Sequence, residues 1–196
     1  MAHPSPLSPG PRLIRDARVL ALLAGLCLAV TAAIDLLEIG TMALRSGHAG
    51  MSNGGFAFIV DLPWETATRT AEPPFVPIAQ FTLWQSLLAT ILLTLRLLPG
   101  LLILWSLMRL FGGYGRGEVF TDRNTRLVRW IAGSLLAYAA VPLLTHAALY
   151  WAGMSPVAFR IEIRQLDALA AGLILLAIAR VVSFGCAIDE DRRGFV

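Results

Sequence analysis

The sequence predicts an all-α integral membrane protein: four transmembrane helices, both termini inside, and one external loop of about 40 residues between helices one and two. Three observations carry that expectation. Of 196 residues, 57% are hydrophobic and only 15% charged, which is more apolar surface than one soluble core of this size hides, so lipid must cover the remainder. Four apolar runs have the length to cross a bilayer. The cationic residues collect at the ends of those runs, most densely in 107–130, LMRLFGGYGRGEVFTDRNTRLVRW, which holds five of the sixteen: Arg109, Arg116, Arg123, Arg126 and Arg129.

Residues 1–11 carry Pro4, Pro6, Pro9 and Pro11 and read as a disordered tail. The transmembrane domain then occupies 12–183, and 184–196 form a polar, cytoplasmic carboxy-terminal tail. Arg12, Arg15 and Arg18 precede a first span at about 19–39, as expected of an anchor whose positive flank stays inside. Val30-Thr31-Ala32 has the small residues of a signal-peptide cleavage site, but apolar residues resume at Ile34, Leu36, Leu37 and Ile39, so the run is read as uncleaved.

The external loop, 40–80, is rich in glycine and proline and contains a strand-like run at 56–60, FAFIV, so one short hairpin is expected there. The second span covers about 81–110, with room for tilt or for a kink at Pro99-Gly100, and Trp84 and Trp105 lie near its two ends, where amphipathic rings settle. The hinge, 111–126, follows. Within it Thr121 is a good N-cap and Asp122 places negative charge at a helix start, so the third helix begins in water and spans about 127–151. A short link leads to the fourth span at about 166–182. In this layout eleven arginines fall inside against four outside (Arg45, Arg69, Arg160, Arg164), which sets the hinge and both termini in the cytoplasm and the chain in a bacterial inner membrane, multi-pass.

The hinge also carries a resemblance. Leu110, Phe111, Tyr114, Gly117, Phe120, Thr121 and Asn124 resemble the signature of the bacterial domain-of-unknown-function-2975 family, in which a Leu-Phe-x-x-Tyr-like run is followed by Gly-x-x-Phe-Thr and a helix-starting Asn. The resemblance implies a four-helix inner-membrane protein with no assigned reaction, often encoded beside a small helix-turn-helix regulator. Gly185 and Asp189-Glu190-Asp191 fit the family's carboxy terminus, whereas Arg192-Arg193-Gly194-Phe195-Val196 depart from its Leu-Thr-Val-like close.

Arg96 is the sharpest anomaly, since an arginine midway along a span costs about 2.5–3.5 kcal/mol and needs a partner or water. Side chains lean toward their helix amino terminus, so Arg96 reaches outward while Asp35 and Glu38 reach inward. Arg96 lies about 16 Å above the inner edge and Asp35 about 24 Å, a gap that an arginine side chain largely closes. Asp35 is the first choice of partner, and Asp167 is a weaker alternative. The bland reading is an ion pair that locks the first two helices, and the sharper one is an ion or substrate site. His146 follows Pro142 by one turn, where a carbonyl freed by the proline can accept from Thr145 or from the imidazole, and it is read as structural.

Other patterns carry no chemistry. Gly50-Met51-Ser52-Asn53-Gly54 matches Gly-x-Ser-x-Gly with His48 nearby, but that motif needs a strand-to-helix turn. Gly113, Gly115 and Gly117 lack the preceding strand and the lysine of a phosphate loop. Cys27 and Cys186 have neither disulfide nor metal spacing. No catalytic, cofactor-binding or metal-binding residue is therefore expected, and the protein is read as no enzyme. Direct nucleic-acid binding is disfavoured because membrane topology already accounts for the arginines.

Arg116, Arg123, Arg126 and Arg129 can neutralise lipid headgroups or present a docking face to a cytosolic protein. The preferred reading is a binding or regulatory module whose hinge and tail engage a cytoplasmic partner such as a helix-turn-helix regulator. The alternative is a transporter or channel subunit with Arg96 in a small-anion or proton-coupled pathway. The lipid-facing surface of four short spans also leaves room for a homodimer.

Overall fold

A computed structural model describes residues 10–46, 48–52, 55–60, 75–118, 121–155 and 161–194. Four helices dominate it: α1 (Pro11–Ala43), α2 (Leu83–Tyr114), α3 (Asp122–Trp151) and α4 (Ile163–Gly194). Among the described residues α1, α2 and α3 are long and apolar enough to cross a membrane, and only 11%, 22% and 28% of their most apolar windows are buried by protein. Apolar helices this poorly covered belong in lipid, because water would leave most of their leucine surface unburied. At 33 residues α1 is about 50 Å long, more than a bilayer core requires.

The helix ends follow from local chemistry. Pro11 opens α1 at the position where its missing N–H is not needed. Thr82 and Gln85 form a capping box at the start of α2: Gln85 N donates to Thr82 Oγ1 at 3.2 Å, and Thr82 N donates to Gln85 Oε1 at 2.9 Å. Thr121 caps α3, accepting from Asn124 N at 3.3 Å, with Asp122 in the first turn. Glu162 N donates to Gln165 Oε1 at 3.3 Å to start α4. The Glu162 carboxylate also accepts from Arg164 at 2.7 Å, a hydrogen bond that raises the guanidinium further above its ordinary range.

Three helices stop in the same way. The amide after a left-handed residue reaches back five positions: Ser46 N to Thr41 O (3.0 Å), Glu118 N to Gly113 O (3.1 Å) and Met154 N to Leu149 O (2.9 Å). The left-handed residues are Gly117 (φ 85°), Gly153 (φ 70°) and Arg45 (φ 56°). Arg45 is the exception that needs a reason, since a side chain there costs about 1–2 kcal/mol. Its guanidinium donates to Phe81 O, tying the end of α1 to the approach to α2.

Pro99 and Pro142 both sit inside continuous helices. Thr145 Oγ1 donates to Pro142 O itself at 2.9 Å, not to the carbonyl that the proline frees. A threonine hydroxyl is held close to the carbonyl three residues back, so this local bond wins over the more distant one.

The chain divides into two compact units, and every helix contributes to both. One comprises Val30–Pro99 and Ala137–Asp167. Its core gathers Met42, Ile78, Ala89, Leu92, Leu93, Leu149 and Met154, with Ser86 Oγ donating to Met42 O at 2.8 Å across α2 and α1. The other comprises Met1–Ala29, Gly100–Leu136 and Ala168–Val196. There Leu110, Leu127 and Ile131 are packed by Ile103, Leu107, Tyr114, Val128, Leu135 and Leu175. Gly172 lets α4 approach α3 closely, since a Cβ on it would lie 3.2 Å from Ala132 O.

Between α1 and α2 the expected hairpin is present as β1 (His48–Ser52) and β2 (Gly55–Val60), and a third strand, β3 (Phe75–Pro77), joins β1 on its other side. Both pairings are antiparallel, with Ser52 opposite Gly55 and His48 opposite Pro77, and the β1–β2 register is irregular between Ala49 and Met51. Ser52 thus ends a hairpin strand and does not sit on a strand-to-helix turn. At the other end of the chain α4 continues through Gly194, so helix occupies most of the segment read as a polar tail. Of the disordered tail expected over 1–11, residues 1–9 lie outside the described residues and Pro11 is already the first residue of α1; loop residues 61–74, Phe120 and link residues 156–160 also lie outside the described residues.

Candidate functional site

The segment joining α2 to α3 is a tightly built elbow. Gly117 allows the left-handed turn that ends α2, so Gly117 N reaches Tyr114 O (3.0 Å) while Glu118 N reaches Gly113 O (3.1 Å). Asn124 fastens the other side. It is 3% exposed, its Nδ2 donates to Glu118 O, and its own amide is capped by Thr121. The Asn124 side chain also lies against Gly113, where an added Cβ would come within 3.0 Å of Oδ1.

A third helix closes on the elbow. Arg18 of α1 donates from Nε to Gly115 O at 3.2 Å, and a Cβ on Gly115 would sit 2.9 Å from Arg18 Cγ. The glycine is required by this approach, not by its own backbone angle. Below it Phe111 and Tyr114 meet edge to face at 6.4 Å, and Tyr114 packs with Leu110 and Leu127. Every described residue of the Leu110–Asn124 signature therefore has a structural task in shaping the turn.

On this scaffold the arginines point outward. Arg116 and Arg123 share Glu118 at 3.3 and 3.9 Å, all three side chains about half exposed. Pairs of that kind hold little energy and leave both guanidiniums available. Arg126 and Arg129 are exposed, and among the described residues neither meets a carboxylate. Arg109 turns back over the Trp105 ring at 5.2 Å. Leu102, Trp105, Arg123, Arg126, Leu127 and Trp130 line a groove of about 460 Å³ between α2 and α3.

A sequence profile described as a protein of unknown function (DUF2975) matches residues 61–192, about two thirds of the chain. The chain belongs to the DUF2975 family. No curated protein and no solved structure matches it significantly. The elbow and groove lie wholly within the DUF2975 match, apart from Arg18, and α1 with Asp35 and Glu38 precedes it.

Asp35, Glu38 and Arg96 fall in one compact unit of this DUF2975 chain, Asp35 buried (7% exposed), Glu38 and Arg96 half-buried. His146, in the same unit, is buried as well. Among the described residues no three His, Cys, Asp or Glu side chains converge in a way that could hold a metal ion. Sequence reasoning missed Asn124 as a tether, Arg18 as the elbow's third support, and the groove. Only Asn124 had a local signal, three residues after a capping threonine.

Proposed function

We propose that this DUF2975 protein is a non-enzymatic, membrane-embedded binding or regulatory module. It has four spans, both termini in the cytoplasm and an external loop between α1 and α2, and it sits multi-pass in a bacterial inner membrane. Its elbow presents Arg116, Arg123, Arg126 and Arg129 to an acidic face on a cytoplasmic protein, such as a helix-turn-helix regulator. The observation that supports this reading is the contrast within the elbow: a backbone fixed by Gly117, Thr121 and buried Asn124 carries an exposed cationic rim that the fold itself hardly uses. A rigid, unspent charged surface suits recognition, because little ordering cost remains to be met on binding.

Two measurements test it. A fluorescent protein fused after Gly115 is expected to fluoresce, and a periplasm-dependent phosphatase at the same place to be inactive; the opposite result removes the topology on which the reading rests. In cells treated with a cross-linker, Arg116→Gln/Arg123→Gln/Arg126→Gln is expected to cut recovery of a specific cytosolic protein at least about tenfold, since several screened charge contacts go together. Unchanged recovery of every cross-linked protein defeats the docking role.

A second reading has its own support in the buried Asp35 and half-buried Arg96. An arginine–carboxylate arrangement inside the spans, Arg96 with Asp35 or Glu38, serves either to lock α1 to α2 or to line a small-anion or proton-coupled pathway.

A further inference from the structure

We infer that the groove between α2 and α3 is a binding site for one anionic phospholipid, its phosphate held by Arg123 and Arg126 and an acyl chain laid along Leu102, Trp105, Leu127 and Trp130. The inference does not depend on the protein-docking reading.

The groove's two kinds of lining match the two parts of such a molecule. Its volume, about 460 Å³, falls within the range of ligand clefts, and four of its six lining residues are leucine or tryptophan. Trp105 and Trp130 remain 40% and 55% exposed, so the apolar wall is open to whatever surrounds the helices. Both helices are long and apolar enough to stand in a bilayer, and what surrounds them there is lipid. Tryptophan at such a place sits at the level of headgroups, with its ring against the upper acyl chain.

The polar part is equally specific. Arg123 and Arg126 lie one turn apart on α3, and guanidinium is the side chain best shaped for a phosphate, which it can grip through two parallel N–H bonds. Arg123 has only a 3.9 Å contact with Glu118, and Arg126 has no carboxylate among the described residues. A zwitterionic lipid would bring a choline or amine against this pair, whereas an anionic one brings net negative charge alone. A free inorganic anion would use the two arginines and leave the tryptophan and leucine wall uncovered.

The test uses the purified full chain in detergent and native mass spectrometry, titrating phosphatidylglycerol against phosphatidylcholine of the same acyl chains. The wild type is expected to take up a first phosphatidylglycerol with roughly thirtyfold preference, the scale of two cationic contacts near a membrane surface. Arg123→Gln/Arg126→Gln should abolish the preference. Arg116→Gln/Arg129→Gln, which removes the same charge outside the groove, should keep it.

A wild-type measurement guards against variants that fail to fold: phosphatidylglycerol brominated on its acyl chain should quench tryptophan fluorescence beyond the same amount of brominated phosphatidylcholine. No preference in the wild type, equal loss in both double variants, equal quenching by the two lipids, or displacement of the lipid by inorganic phosphate would each overturn the assignment.

Discussion

Replacing Asn124 with alanine is expected to lower the melting temperature of the purified protein by about 5–10 °C, more than loss of any exposed arginine in the elbow. The side chain is 3% exposed and supplies the donor for Glu118 O, so its removal strands a carbonyl at the turn and opens a gap beside Gly113. An unmet polar group of this kind costs roughly 1–3 kcal/mol, and a chain of this size loses roughly 2–4 °C per kcal/mol. Asn124→Asp is expected to be as harmful, because it keeps the shape but turns an acceptor toward an acceptor.

Gly113→Ala supplies the internal control. Alone it pushes a Cβ to 3.0 Å from Asn124 Oδ1, offsetting the gain in helix propensity, whereas in the Asn124→Ala background the same methyl enters vacated space and should recover stability. Thermal unfolding followed by intrinsic fluorescence in one detergent decides the matter. A shift under about 1 °C for Asn124→Ala, or simple additivity with Gly113→Ala, would mean the tether contributes nothing.

That tether shows where the sequence stops being readable. The long helices were visible because run length and apolarity are properties of a window, and the start of α3 because Thr121 and Asp122 act on backbone groups within three residues. The family signature was visible too, but only as a pattern. That Gly113 is small for Asn124's sake, or Gly115 for Arg18's, depends on neighbours up to 97 residues away and has no local trace.

The helical run of α4 to Gly194 was hidden for another reason: acidic residues and arginines signal the end of an apolar stretch, yet their helix propensity is adequate to continue the helix. β3 was hidden because a three-residue edge strand ending at Pro77 reads as loop, the proline being tolerated where no further strand must pair.

The largest effect is expected at Arg96. If it is paired with a carboxylate of α1, then Arg96→Gln leaves that carboxylate uncompensated away from water, a loss of about 3–5 kcal/mol seen as a fall in yield and in melting temperature. Neutralising the true partner as well should return much of the loss, since the pair's own desolvation cost disappears with it. Asp35→Asn and Glu38→Gln, each combined with Arg96→Gln, therefore name the partner: the one whose double variant melts above the sum of its single changes. Asp35 is the more buried of the two and on desolvation alone has more to gain from the pairing. Transport predicts a different signature. Were all these variants to melt like the wild type while an anion or proton flux in liposomes vanished with Arg96→Gln, the charge would be serving a pathway, and the lock between α1 and α2 would have to be sought in Ser86 and the core around Leu93 instead.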